Sequence, residues 1–180
     1  ATSFDQLLHV DRDDGGNGAT LVNIKDGDNG TTFCLSMSTT LAHLESSVSA
    51  HPILSIKNTT NDTTAPTLRF IKDKGAAGAD NDDCGTIEFY GDDDNQDNIA
   101  FATILAEVAD ASTGDECGRL TLKVAENDGT NTAGLILTGS TTDSEVDVTI
   151  GAGAASVITA PGVLNLTGAL TVGVDDTGSD

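Results

Sequence analysis

A five-residue unit recurs along this chain: Gly or Pro, any residue, apolar, any residue, apolar. It reads "PILSI" at 52–56, "PTLRF" at 66–70, "GTIEF" at 85–89, "GRLTL" at 118–122, "GVLNL" at 162–166 and "GALTV" at 168–172. Strict alternation over runs this short marks half-buried β-strands, and Gly or Pro at the start punctuates them. "LVNIK" (21–25), "TFCLSM" (32–37) and "EVDVTI" (145–150) alternate in the same way. The intervals between units are irregular, which disfavours a solenoid of fixed period and favours hairpins with loops of varied length. The stretches between them, such as "DRDDGGNG", "KDKGAAGADNDD", "GDDDNQD" and "ENDGTN", are rich in the turn formers Gly, Asp and Asn. The fold expected is all-β, mainly antiparallel, with β-prism or triple β-helix elements.

Two places carry a helical signal. In "MSTTLAHLESSV" (37–48), Met37, Leu41, Leu44 and Val48 fall at spacings of four, three and four, which predicts a short helix near the N-terminus or a coiled-coil seam. On that reading Leu41→Asp or Leu44→Asp weakens assembly. In "NIAFATILAEVAD" (98–110) propensity favours helix, but Ala102, Ile104, Ala106 and Val108 alternate, and a strand is preferred. From Thr138 onward the composition turns to Gly, Ala, Thr and Val with few charges. Such residues have strand propensity and almost no bulk, and suit close backbone approach around a narrow axis. Three regions are therefore expected: 1–50 as a docking and register region, 51–137 as a strand framework, and 138–180 as a small-residue β segment or linker.

The 29 Asp and Glu outnumber the 8 Lys and Arg, for a formal net charge of −21. That argues against a nucleic-acid partner, because phosphate binding needs clustered cations, and against an anionic membrane surface. The apolar content is made of small residues, with no Trp, one Tyr and five Phe. A chain patterned to fold yet poor in core material completes its core with copies of itself. The N-terminal "ATSFDQLLHV" lacks a basic n-region, and no apolar run approaches the ~18 residues of a membrane span. Three cysteines do not make a disulfide scaffold. A protein made in the cytoplasm, without membrane insertion, is the expectation.

Motifs that would carry chemistry are thin. "TIGAGAAS" (149–156) approximates a dinucleotide fingerprint, but "SVITAPG" follows it instead of a helix, so it reads as a turn. "DRDDGGNG" (11–18) and "KDGDNGTT" (25–32) do not satisfy the ligand spacing of a calcium loop. "GDDDNQD" (91–97) offers Asp92, Asp93, Asp94 and Asp97, enough oxygens for a weak surface ion site or simply a solvated turn. His9, His43 and His51 stand in no catalytic motif. Cys84 and Cys117 each precede the Gly of a strand unit, and read as small reduced residues. No catalytic, cofactor-binding or metal-binding residue is assigned, and no cofactor is expected.

The stretch 66–128 resembles a segment of bacteriophage tail fibres and related virion appendages. Its elements stand here as Pro66–Phe70 (P-x-L-x-F), Gly85–Gly91 (G-x-I-x-F-x-G), Phe101–Ile104 (F-A-x-I) and Asp110–Leu122 (D-x-x-x-G-x-E-x-G-x-L-x-L). The low-bulk tail "VDVTIGAGAASVITAPGVLNLTGALTVGVDDTG" is similar to repetitive strands of marine phage appendage proteins. The resemblance implies a virion structural protein, a homotrimeric fibre or a capsid- or tail-attached appendage on the particle exterior, for host attachment or decoration. It implies other virion proteins and a host cell-surface glycan or protein as partners. Two rival readings remain: a calcium-dependent extracellular β-rich adhesin or filament subunit, and a tail-spike polysaccharide depolymerase.

Overall fold

The computed structural model describes residues 9–10, 18–27, 30–151 and 153–168, and every regular element among them is a β-strand. The all-antiparallel character follows the alternation of the sequence. The chain separates into two units that meet in sequence between Leu68 and Arg69.

The first unit holds a four-stranded sheet in sequential order, β1 (His9–Val10), β2 (Val22–Lys25), β3 (Thr32–Met37) and β4 (Ala42–Leu44), each antiparallel to the next. The short helix expected over 37–48 is not formed; a hairpin stands in its place. β3 ends at Met37, and Ser38 closes a tight turn by donating its N–H to the carbonyl of Leu41 at 2.8 Å. The Ser38 hydroxyl oxygen also accepts the N–H groups of Thr40 (3.2 Å) and Leu41 (3.1 Å). Ser and Thr offer the backbone this alternative to a helix, which is why they favour turns. Leu35 then pairs with Leu44, and Met37 with Ala42. The Met37–Leu41–Leu44–Val48 spacing thus runs around a turn, and the helical seam that Leu41→Asp or Leu44→Asp was expected to disrupt does not exist. Across the β2–β3 pair, the Ser36 hydroxyl donates to Asn23 Oδ1 at 2.8 Å, and Val22 is the one buried apolar residue among those described.

The second unit is a five-stranded meander: β5 (Asp83–Asp92), β6 (Asn98–Asp110), β7 (Cys117–Ala125), β8 (Asn131–Gly139) and β9 (Val146–Ile150). The ambiguous segment 98–110 is strand β6, as its alternation indicated. The units at 85–89 and 118–122 lie in β5 and β7. β8 was not anticipated: Leu135, Ile136 and Leu137 are apolar in succession and hide the period of two. Conversely, the units at 52–56, 66–70 and 162–166 belong to no strand. Of the unit at 168–172 only Gly168 is among the described residues. The loops supply their own caps. After β7, for example, Glu126 donates its N–H to the carbonyl of Thr130, and Gly129 closes the turn at φ +81°, a conformation that costs glycine nothing.

Little of this structure is buried. The accessible surface is 14582 Å² for 18.3 kDa, whereas two closed globules sharing that mass would expose roughly 9,800 Å² between them. No described side chain is fully buried. Within its own unit each sheet is a single layer.

Candidate functional site

The feature that sets this molecule apart from an ordinary domain is one face of the β5–β9 sheet. Side chains alternate between faces along a strand, and directly paired residues share a face. The register therefore sorts the sheet residue by residue. Ile87 pairs with Ile104, Ile104 with Leu122, Leu122 with Leu135 and Leu135 with Ile150. Five large aliphatic residues thus form one unbroken row across five strands. The next row is Gly85, Ala106, Leu120, Leu137 and Val148, and beyond it Gly139 pairs with Val146. On the other side of the first row Phe89 pairs with Ala102, and Ala102 with Val124. None of these residues carries a charge.

The opposite face is polar. Its rows are Thr86, Leu105, Thr121, Ile136 and Thr149; Glu88, Thr103, Lys123 and Ala133; and Glu107, Arg119, Thr138 and Asp147. Arg119 grips Glu107 with two nitrogens, Nη2 to Oε1 at 3.0 Å and Nε to Oε2 at 3.2 Å, and its Nη2 also donates to Asn81 Oδ1 at 2.9 Å. The Arg119 hydrogen bond holds the Glu107 carboxyl below the usual carboxylate range, against a smaller opposing effect of burial, and raises the guanidinium in return. This is structural electrostatics that fixes one strand against the next.

Antiparallel sheets commonly solvate their polar face and pack the apolar one on a core. Here the apolar face has no second sheet over it within its own unit among the described residues. Ile87 is 40% exposed, Phe89 51%, Val148 57% and Ile150 54%, while Thr121 on the polar face is the one buried residue of this sheet. The preceding segment reaches the apolar face through Phe70, and its Ile71 lines a pocket with Val108. Phe70 lies against Gly85, so closely that a Cβ on Gly85 would stand 2.9 Å from Phe70 Cβ. The ring borders a shallow pocket of about 300 Å³ with Ile87, Ile104, Ala106 and Leu120. Five strands at ~4.8 Å spacing and five residues at ~3.4 Å rise give the bare face a footprint of roughly 400 Å². That reaches the size of the largest apolar patch a monomeric protein normally leaves open, and such patches mark contact sites.

The acidic loops do other work. Asp93 Oδ1 accepts the N–H groups of Asn95 and Asp97, both at 2.9 Å. Hydrogen bonds lower the carboxyls of three further residues: Asp62, chiefly through the Thr64 hydroxyl, Asp110 at the end of β6, chiefly through the N–H of Ser112, and Asp128, chiefly through the N–H of Thr130. Asp82 is lowered by Lys74 and by the N–H of Ala79. Among the described residues no group of three or more His, Cys, Asp or Glu could hold a metal ion. The loop 11–18 lies outside the described residues except for Gly18, and 25–32 is described except at 28 and 29. Cys84 on β5 and Cys117 on β7 are separated by β6, and both are free, as is Cys34. His43 sits in β4 opposite Ser36, whose hydroxyl is committed to Asn23 Oδ1, and His51 precedes Pro52. The "TIGAGAAS" stretch leaves β9 as a turn, with Ser156 donating its N–H to the carbonyl of Gly153 at 2.9 Å. No helix of the described residues is long and apolar enough to cross a membrane.

No family model, no curated protein and no solved structure matches the chain.

Proposed function

We propose that this chain is a structural protein of a phage virion, a fibre or a capsid- or tail-attached appendage that serves host attachment or decoration and assembles as a homotrimer. The observation that carries the reading is the uncovered apolar face of the β5–β9 sheet. A single layer with an apolar side cannot be the final state of a water-exposed sheet, because those rows gain stability only when a second layer excludes water. Copies of the same chain bring that layer in matched shape, and closed symmetry hides every copy's face at once. The acidic exterior keeps such an assembly soluble and suppresses edge-to-edge strand aggregation.

The role is non-catalytic on this reading: the molecule works by geometry and by multivalent display, in which weak contacts to a cell-surface glycan or protein gain strength when several copies engage. The resemblance of 66–128 to phage fibre segments, and its framework strands Gly85–Gly91 and Asp110–Leu122, supports the same placement on the particle exterior. The test is antibody labelling of purified particles from a lysate in which the chain is produced. The expected result is gold label on the particle surface and loss of adsorption to host cells when the antibody is present. Label confined to the soluble fraction, or capsule polysaccharide shortened by the purified chain, would replace this reading.

A further inference from the structure

Residues 52–78 form no backbone–backbone hydrogen bond with any described residue, and every residue from 51 to 80 is exposed. The stretch nonetheless contains a strand-patterned run, "PILSIK" (52–57), whose Leu54 and Ile56 stand 69% and 47% exposed. Water can satisfy an open backbone, but it does not reward displaying apolar side chains at every second place. The run has the pattern of a strand without a ladder.

The second unit has the converse feature. Among the described strands β9 pairs only with β8, and all five of its residues are exposed. Its Val146, Val148 and Ile150 lie on the apolar face. The other edge, β5, is less open: Phe70 rests on Gly85, and Lys74 holds Asp82 just before the strand. Charge is compatible with the β9 edge but does not choose it over β5, which itself holds Asp83, Glu88 and Asp92. Residues 52–74 hold four of the chain's 8 Lys and Arg (Lys57, Arg69, Lys72 and Lys74) against two of its 29 Asp and Glu. This cationic stretch is thus complementary to the acidic remainder of the same sequence, Glu145 and Asp147 of the β9 region included.

We propose that Pro52–Lys57 of one copy adds as an antiparallel sixth strand to the β9 edge of a second copy. This rests on the assembly proposed above and names the contact that would lock it. In the matching register Pro52 stands beside Ile150, Leu54 beside Val148, Ile56 beside Val146 and Lys57 beside Glu145. The added strand continues the apolar rows by one residue each and sets its cation against an acid. Pro52 takes the first position of the strand, where its missing N–H is tolerated. Main-chain hydrogen bonds supply the grip and the alternate side chains the register, as in other edge additions.

Hydrogen exchange on the wild-type chain tests this without a variant. At concentrations where the chain is assembled, amides within 53–57 should exchange at least ~10-fold more slowly than those of 58–65, and the protection should vanish on dilution to the monomer. Equal exchange in the two segments, with solution mass still a multiple of one chain, overturns the strand addition and leaves the assembly standing. A monomeric mass at every concentration overturns both. As an independent readout, Ser55→Cys and Asp147→Cys are made separately, with Cys34, Cys84 and Cys117 changed to Ser, and the two proteins are mixed and oxidised. A covalent dimer joining the two variants is the expected product. No covalent dimer, or cross-linking only when both changes lie in one chain and then within it, overturns the proposal.

Discussion

Gly85 and Phe70 carry more of the second unit's organisation than their size suggests. The Phe70 ring can lie on the apolar face only because position 85 has no side chain: a Cβ there would meet Phe70 Cβ at 2.9 Å. Gly85→Val should therefore expel the ring and destabilise the unit by about 1–3 kcal/mol, the usual penalty for overpacking, read as a lowered midpoint in urea with wild-type secondary structure by circular dichroism. The Glu107–Arg119 pair offers a test by pH. Because the Glu107 carboxyl is held below its usual value of 4.5 in the folded state, its stabilising effect is complete above that value and is lost as pH falls through the lower folded value. The stability difference between wild type and Glu107→Gln should be flat, at about 0.5–1 kcal/mol, from neutral pH to about 5, and should shrink at lower pH. A difference that grows on acidification would contradict the assignment. Neither feature was legible beforehand. Phe70 and Gly85 touch across fifteen positions without a ladder between them, and a sequence with 29 acids cannot single out Glu107 before register places Arg119 beside it.

Strands were legible wherever apolar and polar residues alternate, and illegible wherever they do not. The runs at 85–89, 98–110, 118–122 and 145–150 became β5, β6, β7 and β9, because one polar and one apolar face impose a period of two. β8 escaped because Ile136 on the polar face stands between Leu135 and Leu137 on the apolar one. The 37–48 stripe misled for the opposite reason: its spacing is helical, but Ser38, Thr39 and Thr40 prefer a turn, and the Ser38 hydroxyl serves two N–H groups there. Ser38→Ala removes that acceptor and should cost about 0.5–1.5 kcal/mol, observed as faster amide exchange across β3 and β4 with the β5–β9 sheet unchanged. Patterning at 52–56 and 66–70 was read as strand, yet the single chain gives neither a ladder, since a strand needs an edge to pair with as well as a sequence that fits one.

The second unit has an apolar row of Ile87, Ile104, Leu122, Leu135 and Ile150, bordered by Phe70 at its β5 end and by residues 153–158 at its β9 end, with no second sheet over it within that unit among the described residues. The shortage of bulky residues pointed to a shared core, but which residues are placed to share it is visible only through the register. The central position of that row is Leu122, on the middle strand. Leu122→Glu would bury an unpaired carboxylate at the contact, and association should weaken about 100-fold or more, about 3 kcal/mol. Thr103→Glu, on the polar face, should leave association unchanged, and equal weakening by both would locate the contact elsewhere. The most direct test of the shared core is the solution mass of the wild-type chain by light scattering, with and without EDTA. The expected mass is three times 18.3 kDa, unaltered by chelation, because apolar rows hold the copies together. A monomer of 18.3 kDa, or an assembly that falls apart when divalent ions are removed, would contradict it.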